Sequence, residues 1–132
     1  MLRNIFYTGQ IFWITMSEIE DVVKKFNEAD NAIRTLFPKS DPILVVNLIF
    51  DEKAGRNNIY TLEVNLKAGQ NLEEMRDRVV QLTGMVPSFY LHGTQMIVSH
   101  HLNLEMLKRI NDVDAVVKIK GSPYSAGGSS DF

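Results

Sequence analysis

The sequence predicts a single small α+β domain, a two-layer sandwich in which helices pack against one sheet. Residues 59–67 alternate strictly between apolar and polar side chains, which is typical of a strand with one buried face. Other segments carry apolar residues at spacings of three and four behind capping residues, as helices do. The 132 residues are 45% hydrophobic and 23% charged, so a core can form without disulfides or metal.

The first predicted helix covers residues 17–37. Ser17 and Glu20 have the spacing of a capping box, and Pro38 ends the segment. We predict that its apolar stripe packs on the sheet; the alternative is the seam of a dimer. The stripe consists of Ile19, Val22, Phe26, Ala29, Ile33 and Leu36.

Residues 43–50 form an almost uninterrupted apolar run that is rich in β-branched side chains. Such a run is typical of a strand buried on both faces. Residues 51–58 contain several turn formers, and residues 59–67 follow as the alternating strand. The sequence therefore predicts a hairpin of these two strands, with Asp51 and Glu52 as solvated carboxylates in its turn.

A second helix is predicted to begin after Asn71, whose side chain can cap it, and to end at Gly84. Residues 85–91 and 95–100 then read as two strands joined by a tight turn at His92 and Gly93. Pro87 breaks the first of them early, which predicts either a position at a sheet edge or the start of a strand.

A third helix is predicted behind the cap Asn103, and residues 115–120 read as the last strand. The complete element order is then αββαββαβ, and residues 59–120 follow the ferredoxin-like order βαββαβ. Repeated αββ units are the alternative topology. We interpret residues 1–15 as an N-terminal extension, either a start-site extension or an extra strand. Residues 16–120 form the single domain, and residues 121–132 a flexible Ser/Gly tail.

Residues 59–120 resemble the ACT-type small regulatory domains. The resemblance lies in the strand, glycine turn and capped helix of residues 66–71, and in the helix that leads through Asp112 and Val113 into the last strand. It implies a ferredoxin-like regulatory domain. The same ending also resembles subtilisin-type propeptides, which implies that residues 122–124 could enter a protease cleft.

The composition of the chain argues against several classes of function. The net charge of −2 lacks the basic excess typical of nucleic-acid binding. The absence of cysteine excludes a disulfide framework, a thiol nucleophile and cysteine zinc sites, and fits a cytoplasmic protein. No apolar run is long enough for a membrane-spanning helix, so we expect no membrane association. No nucleotide-binding or hydrolase motif occurs, and we expect no cofactor and no catalysis.

Few residues are candidates for chemistry or binding. His92 could meet His100 across the hairpin, and with Glu105 the two would form a small metal site. Tyr124 and the terminal Phe132 could dock into a partner. The favoured function is a non-catalytic regulatory or adaptor domain, a homodimer through the sheet or the first helix, that binds a protein or a small ligand. A protease-inhibitor module and a small metal-dependent enzyme are the alternatives.

Overall fold

The computed structural model describes the backbone of residues 7–124 and the side chains of residues 16–124. The chain divides into two compact units, with the boundary between Thr35 and Leu36. Residues 16–120, which we predicted as one domain, therefore fall in both units. Within the described residues, no helix combines the length and the apolar character needed to cross a membrane.

Helix α1 runs from Tyr7 to Leu36 and is longer than predicted. Because it begins at Tyr7, Ser17 and Glu20 lie inside the helix and do not cap it. The extra strand considered for residues 1–15 is not found in residues 7–15, which are helical, and residues 1–6 lie outside the described part. Most of the apolar stripe that we predicted to pack against the sheet is exposed, with Phe26 at 61% of its full accessibility, whereas Ile33 is half-buried.

Residues 43–50 are helical, and the prediction of a buried strand here is wrong. Helix α2 spans Pro42–Ala54; the Asp41 side chain accepts a hydrogen bond from the Ile43 backbone at 3.0 Å, and Pro42 occupies the first turn. Gly55 ends the helix with a left-handed φ of 68°. The predicted hairpin with residues 59–67 does not form. The apolar run is instead a helix with one buried face, although Ile43 and Phe50 are exposed. Its buried residues are Leu44, Val45, Leu48 and Asp51.

The sheet has four antiparallel strands in the spatial order β2-β3-β1-β4. Strand β1 is central and shows the predicted alternation, since every second side chain from Tyr60 to Leu66 is buried and those between are half-buried. The short strand β2 lies at an edge, as Pro87 predicted. The strands are β1 (Ile59–Leu66), β2 (Ser88–Tyr90), β3 (Gln95–His101) and β4 (Val116–Pro123).

The predicted caps of the two helices that follow β1 and β3 are confirmed. Helix α3 spans Leu72–Thr83, and the Asn71 side chain accepts a hydrogen bond from the Glu74 backbone at 3.1 Å. Helix α4 spans Leu104–Asn111, with Asn103 as its cap. Their buried side chains face the same side of the sheet as those of α2, so the unit is an α+β structure of two layers.

A short segment before α2 pairs with the outer edge of β4. Ile119 exchanges backbone hydrogen bonds with this segment, donating to Lys39 at 2.8 Å and accepting from Asp41 at 2.9 Å. The buried amide oxygen of Asn111 accepts further hydrogen bonds from the Lys39 backbone and the Ser40 hydroxyl. The segment is thereby fixed against both the sheet and α4.

Strand β4 is longer than predicted. It continues to Pro123, so residues 121–123, which we assigned to the flexible tail, belong to the sheet. Gly121 lies opposite Leu62 in the register with β1. The rest of the predicted tail, residues 125–132, lies outside the described residues.

Candidate functional site

The structure does not bring the predicted metal ligands together. His92 lies in a short 3₁₀ turn between β2 and β3, and the register that pairs Tyr90 with Gln95 leaves it at the hairpin tip. His100 lies five residues beyond Gln95 on β3, roughly 17 Å along the strand from the start of β3 at the hairpin. Glu105 on α4 is paired with Arg109 at 2.9 Å. Among the described residues, no group of three histidine, aspartate or glutamate side chains could hold a metal ion.

The predicted partner-binding residues are placed only in part. Tyr124 is exposed, and its backbone N–H donates to the Ile59 carbonyl at 2.7 Å, which continues the pairing of β4 with β1. Phe132 lies outside the described residues.

One recess of the second unit is a mainly apolar cleft of about 370 Å³ between the sheet and helices α3 and α4. Its size falls within the range of pockets that hold small organic molecules. The floor is formed by apolar side chains of β1 and β3, and the sides by α3 and α4. The apolar lining residues include Leu62, Val64, Met75, Val79, Met96 and Val98.

His100 is the titratable side chain in the buried wall of this cleft, with only 3% of its surface exposed. Its Nδ1 lies 2.7 Å from the His101 carbonyl oxygen. A carbonyl oxygen can only accept, so Nδ1 must carry the proton in this hydrogen bond. Burial lowers the pKa of His100, which keeps the ring neutral at pH 7.

The second ring nitrogen of His100 lacks a partner. Nε2 is buried and makes no hydrogen bond with any described residue. In the tautomer set by the bond to His101, this nitrogen is an acceptor. A buried acceptor without a donor is costly. Nε2 has almost no accessible surface of its own, so this acceptor lies beneath the lining of the cleft and not on its surface.

Two arginines lie at the exposed rim of the cleft. Arg78 projects from α3 and Arg109 from α4, and both also line an adjoining polar recess. Arg109 is held by Glu105, whereas Arg78 forms no ion pair with any described residue. Asp112 and Asp114 line the recess and not the cleft. The two arginines therefore share the adjoining recess with two aspartates, whereas none of the described residues that line the cleft is acidic.

A buried hydrogen-bonded cluster at the end of α2 was not predicted. We interpreted Asp51 as a solvated turn residue, but it is buried and accepts hydrogen bonds from the Tyr60 hydroxyl, Arg56 and Asn58. The bond from Tyr60 is the main reason that the pKa of Asp51 is lowered. Burial first, and then the bond to Asp51, raises the pKa of Tyr60 to about 12. The cluster joins α2 to β1.

Part of the cleft could have been foreseen. Met96, Val98 and His100 share one face of β3 by simple alternation, so an inward His100 follows from the same pattern as the apolar core. The sequence did place His100 and His101 on opposite faces, and the structure confirms this: one is buried and the other exposed.

Comparison of the chain with protein-family models, with curated proteins and with solved structures finds no significant match. The functional interpretation therefore depends on the residues themselves.

Proposed function

We propose that the second unit is a non-catalytic regulatory domain that binds a small organic ligand in the cleft between the sheet, α3 and α4. The observation that carries this proposal is the cleft of about 370 Å³ itself, which is lined mainly by apolar side chains. The order of elements from β1 to β4 and the strand order β2-β3-β1-β4 support a ferredoxin-like fold. That fold and the resemblance of residues 59–120 to ACT-type domains both favour a regulatory role over catalysis.

A bulky side chain introduced into the cleft lining will abolish ligand binding. Leu82 is half-buried in the cleft lining, so Leu82→Trp fills the space with little disturbance of the core. In an NMR titration with a library of amphipathic fragments, we expect saturable shifts of amide resonances in α3, β3 and α4 of the unaltered protein. These shifts will disappear in Leu82→Trp. Asp77→Trp is the matched control, because Asp77 is an exposed α3 residue outside the cleft lining.

A fragment library that causes no saturable shift at the cleft residues would count against the proposed function. Shifts that survive Leu82→Trp unchanged would place the ligand elsewhere and contradict the assignment of the cleft.

A specific feature of α1 also supports the proposed homodimer. Phe12, Ile19, Phe26 and Ile33 recur every seven residues of the helix, and Thr15, Val22, Ala29 and Leu36 recur three residues after each. This spacing continues for about four heptads, which is enough for a coiled coil. Val22 and Phe26 are 65% and 61% exposed. A second copy of α1 would bury them.

The charges beside this stripe favour a parallel arrangement. Lys25 directly precedes Phe26 in the heptad, and Asp30 directly follows Ala29. In two parallel copies of α1, Lys25 of one copy would therefore face Asp30 of the other across the apolar seam. Within one chain Lys25 binds Asp21, and Asp30 binds Arg34, at 3.0 and 3.1 Å. Both ion pairs are exposed and weak, so replacing them with ion pairs to a second copy of α1 costs little free energy.

A charge in the stripe will prevent association. We expect light scattering on a size-exclusion column to show a mass above the 15.0 kDa of one copy for the unaltered protein, and that single-copy mass for Phe26→Asp. The control Asn27→Asp adds the same charge on the opposite face of α1 and will leave the mass unchanged. A single-copy mass for the unaltered protein at every concentration would refute the dimer.

A further inference from the structure

His100 is a buried titratable side chain in a place that suits a neutral ring. It lies on the inward face of β3, beneath the mainly apolar lining of the cleft, with 3% of its surface exposed. Its Nδ1 donates to the His101 carbonyl at 2.7 Å, and its Nε2 has no hydrogen-bond partner among the described residues. A second proton on the ring would therefore create a buried cation and a buried N–H donor without an acceptor.

The groups that face His100 from the neighbouring elements cannot compensate this charge. Tyr60 lies opposite His100 in the register of β1 and β3, and its hydroxyl donates to Asp51, whose carboxylate is thereby already occupied. The charged residues that line the cleft are Arg78 of α3 and Arg109 of α4, and both are cations. They would repel a protonated ring.

The remaining titratable neighbours lie outside the cleft lining. His101 is on the opposite face of the sheet, where its Nδ1 lies 3.0 Å from the Asn57 carbonyl oxygen. Glu105 is an exposed residue of α4 that forms an ion pair with Arg109. Strand β4 contributes the apolar Val116 to the lining. None of these groups offers His100 a counter-charge.

We infer that His100 is an acid-sensitive switch, and that its protonation at Nε2 loosens the packing of β3 against α3 and α4. Nε2 has almost no accessible surface, so water can hydrate the new N–H group only when the lining of the cleft opens. Acid therefore favours states in which the sheet and these two helices are separated. This switch does not depend on the ligand proposed above, because it concerns the stability of the cleft itself.

The direction of the pH dependence follows from the protons bound in each state. Burial lowers the pKa of His100 below the 6.5 of an ordinary histidine. Above pH 6.5 the ring is neutral in the folded and the unfolded chain, and the stability is complete. As the pH falls below 6.5, the unfolded chain takes up a proton that the folded chain does not, so stability is lost. The loss due to Asp51 begins only below about pH 3.8, in a separate range.

Urea denaturation of the full chain tests the switch at pH values of about 7, 6 and 5, which lie on both sides of the ordinary histidine pKa. Methyl NMR signals of Leu62 and Val98 report on the second unit alone, since both residues are buried in it. We expect the equilibrium constant for unfolding to rise by up to tenfold for each pH unit below 6.5, the effect of one proton.

Matched variants assign this effect to one ring. His100→Phe keeps an aromatic ring of similar size without a titratable group, and it will remove the rise in the unfolding constant. His101→Phe makes the same change at the exposed neighbouring residue and will keep the rise. An equal acid dependence in the unaltered protein and in His100→Phe would overturn the switch.

The nitrogen chemical shifts of the His100 ring give a second test that needs no substitution. In the folded, unaltered protein at about pH 6, half a unit below the ordinary histidine pKa, we expect the neutral ring with its proton on Nδ1. A ring protonated on both nitrogens at that pH, in a protein with the same unfolding constant as at neutral pH, would refute the inference even where His100→Phe fails to fold.

Discussion

Asp51→Ala will lower the free energy of unfolding by about 3 kcal/mol, because it leaves the Tyr60 hydroxyl buried without an acceptor and removes the hydrogen bonds from Arg56 and Asn58. Arg56 is half-exposed, so its share of the loss is small. Urea denaturation followed by circular dichroism measures the change. Glu52→Ala is the control, since Glu52 is the exposed neighbour of Asp51 on α2. Equal losses for the two variants would show that the cluster contributes nothing.

The same cluster makes the stability of the folded protein depend on pH in the alkaline range. The pKa of Tyr60 is raised from 10.0 to about 12 in the folded protein, so the native state holds this proton more tightly than the unfolded chain does. The stabilisation is complete below pH 10 and is lost as the pH rises toward 12. Tyr60 should therefore ionise late in an ultraviolet titration. Tyr60→Phe will remove that late step. At the acid end, the lowered pKa of Asp51 means that its contribution is lost as the pH falls below about 3.8.

Gly121→Val will destabilise the protein by about 3 kcal/mol through overcrowding of the core. A Cβ at position 121 would lie 2.6 Å from Leu62 Cδ2, 3.2 Å from the Thr61 carbonyl oxygen and 3.3 Å from Leu44 Cδ1. Leu62 and Leu44 are fully buried, so neither can move aside cheaply. Thermal unfolding will show a midpoint lower by roughly 4–8 °C for each kcal/mol lost.

Ser122→Val is the matched control for this change. Ser122 is the next residue of β4 and is exposed, so the same side chain should fit there without loss and with a favourable strand propensity. A Gly121→Val protein as stable as Ser122→Val would mean that β4 can move away from β1 without cost, and the close packing at Leu62 would then be unimportant.

The parts of the fold that could be predicted from the sequence are those set by local patterns. The bounds of α3 and α4 were predicted from the caps Asn71 and Asn103 and from the turn at Gly84. The buried face of β1 was predicted from the alternation of its side chains. Each of these signals acts within a few residues, so it persists whatever the rest of the chain does.

The two misplaced segments show where such patterns fail. The apolar run of residues 43–50 has no period and could belong to either a buried strand or a buried helix. Its helical signal lies outside the run, in Asp41 and Pro42 before it and Gly55 after it. Ser17 and Glu20 have the spacing of a cap but lie inside α1, since a capping pattern marks a helix start only where the preceding residues are not helical.

The cleft could not be predicted because it is a space between elements that are distant in the sequence. Met75 and Val79 of α3 are distant in the sequence from Ile110 of α4, and only the folded chain brings them together in the lining of one cleft. Alternation places His100 inward, but the lack of a partner for Nε2 depends on every residue around it. The arginines at the rim are ordinary solvated helix residues in the sequence, and only the fold brings both of them beside the cleft.

The arrangement of the sheet edges has a consequence for aggregation. Exposed strand edges invite pairing with other chains, and such pairing can grow without limit. Here the edge strand β2 has only three residues and follows Pro87, while the outer edge of β4 is interrupted at Ile119 by the backbone of Lys39 and Asp41. Neither edge therefore offers a long continuous run of free backbone on which a fibril-like stack could begin. The exposed apolar stripe of α1 can therefore be a surface for a closed pair of helices, while the sheet resists open-ended growth.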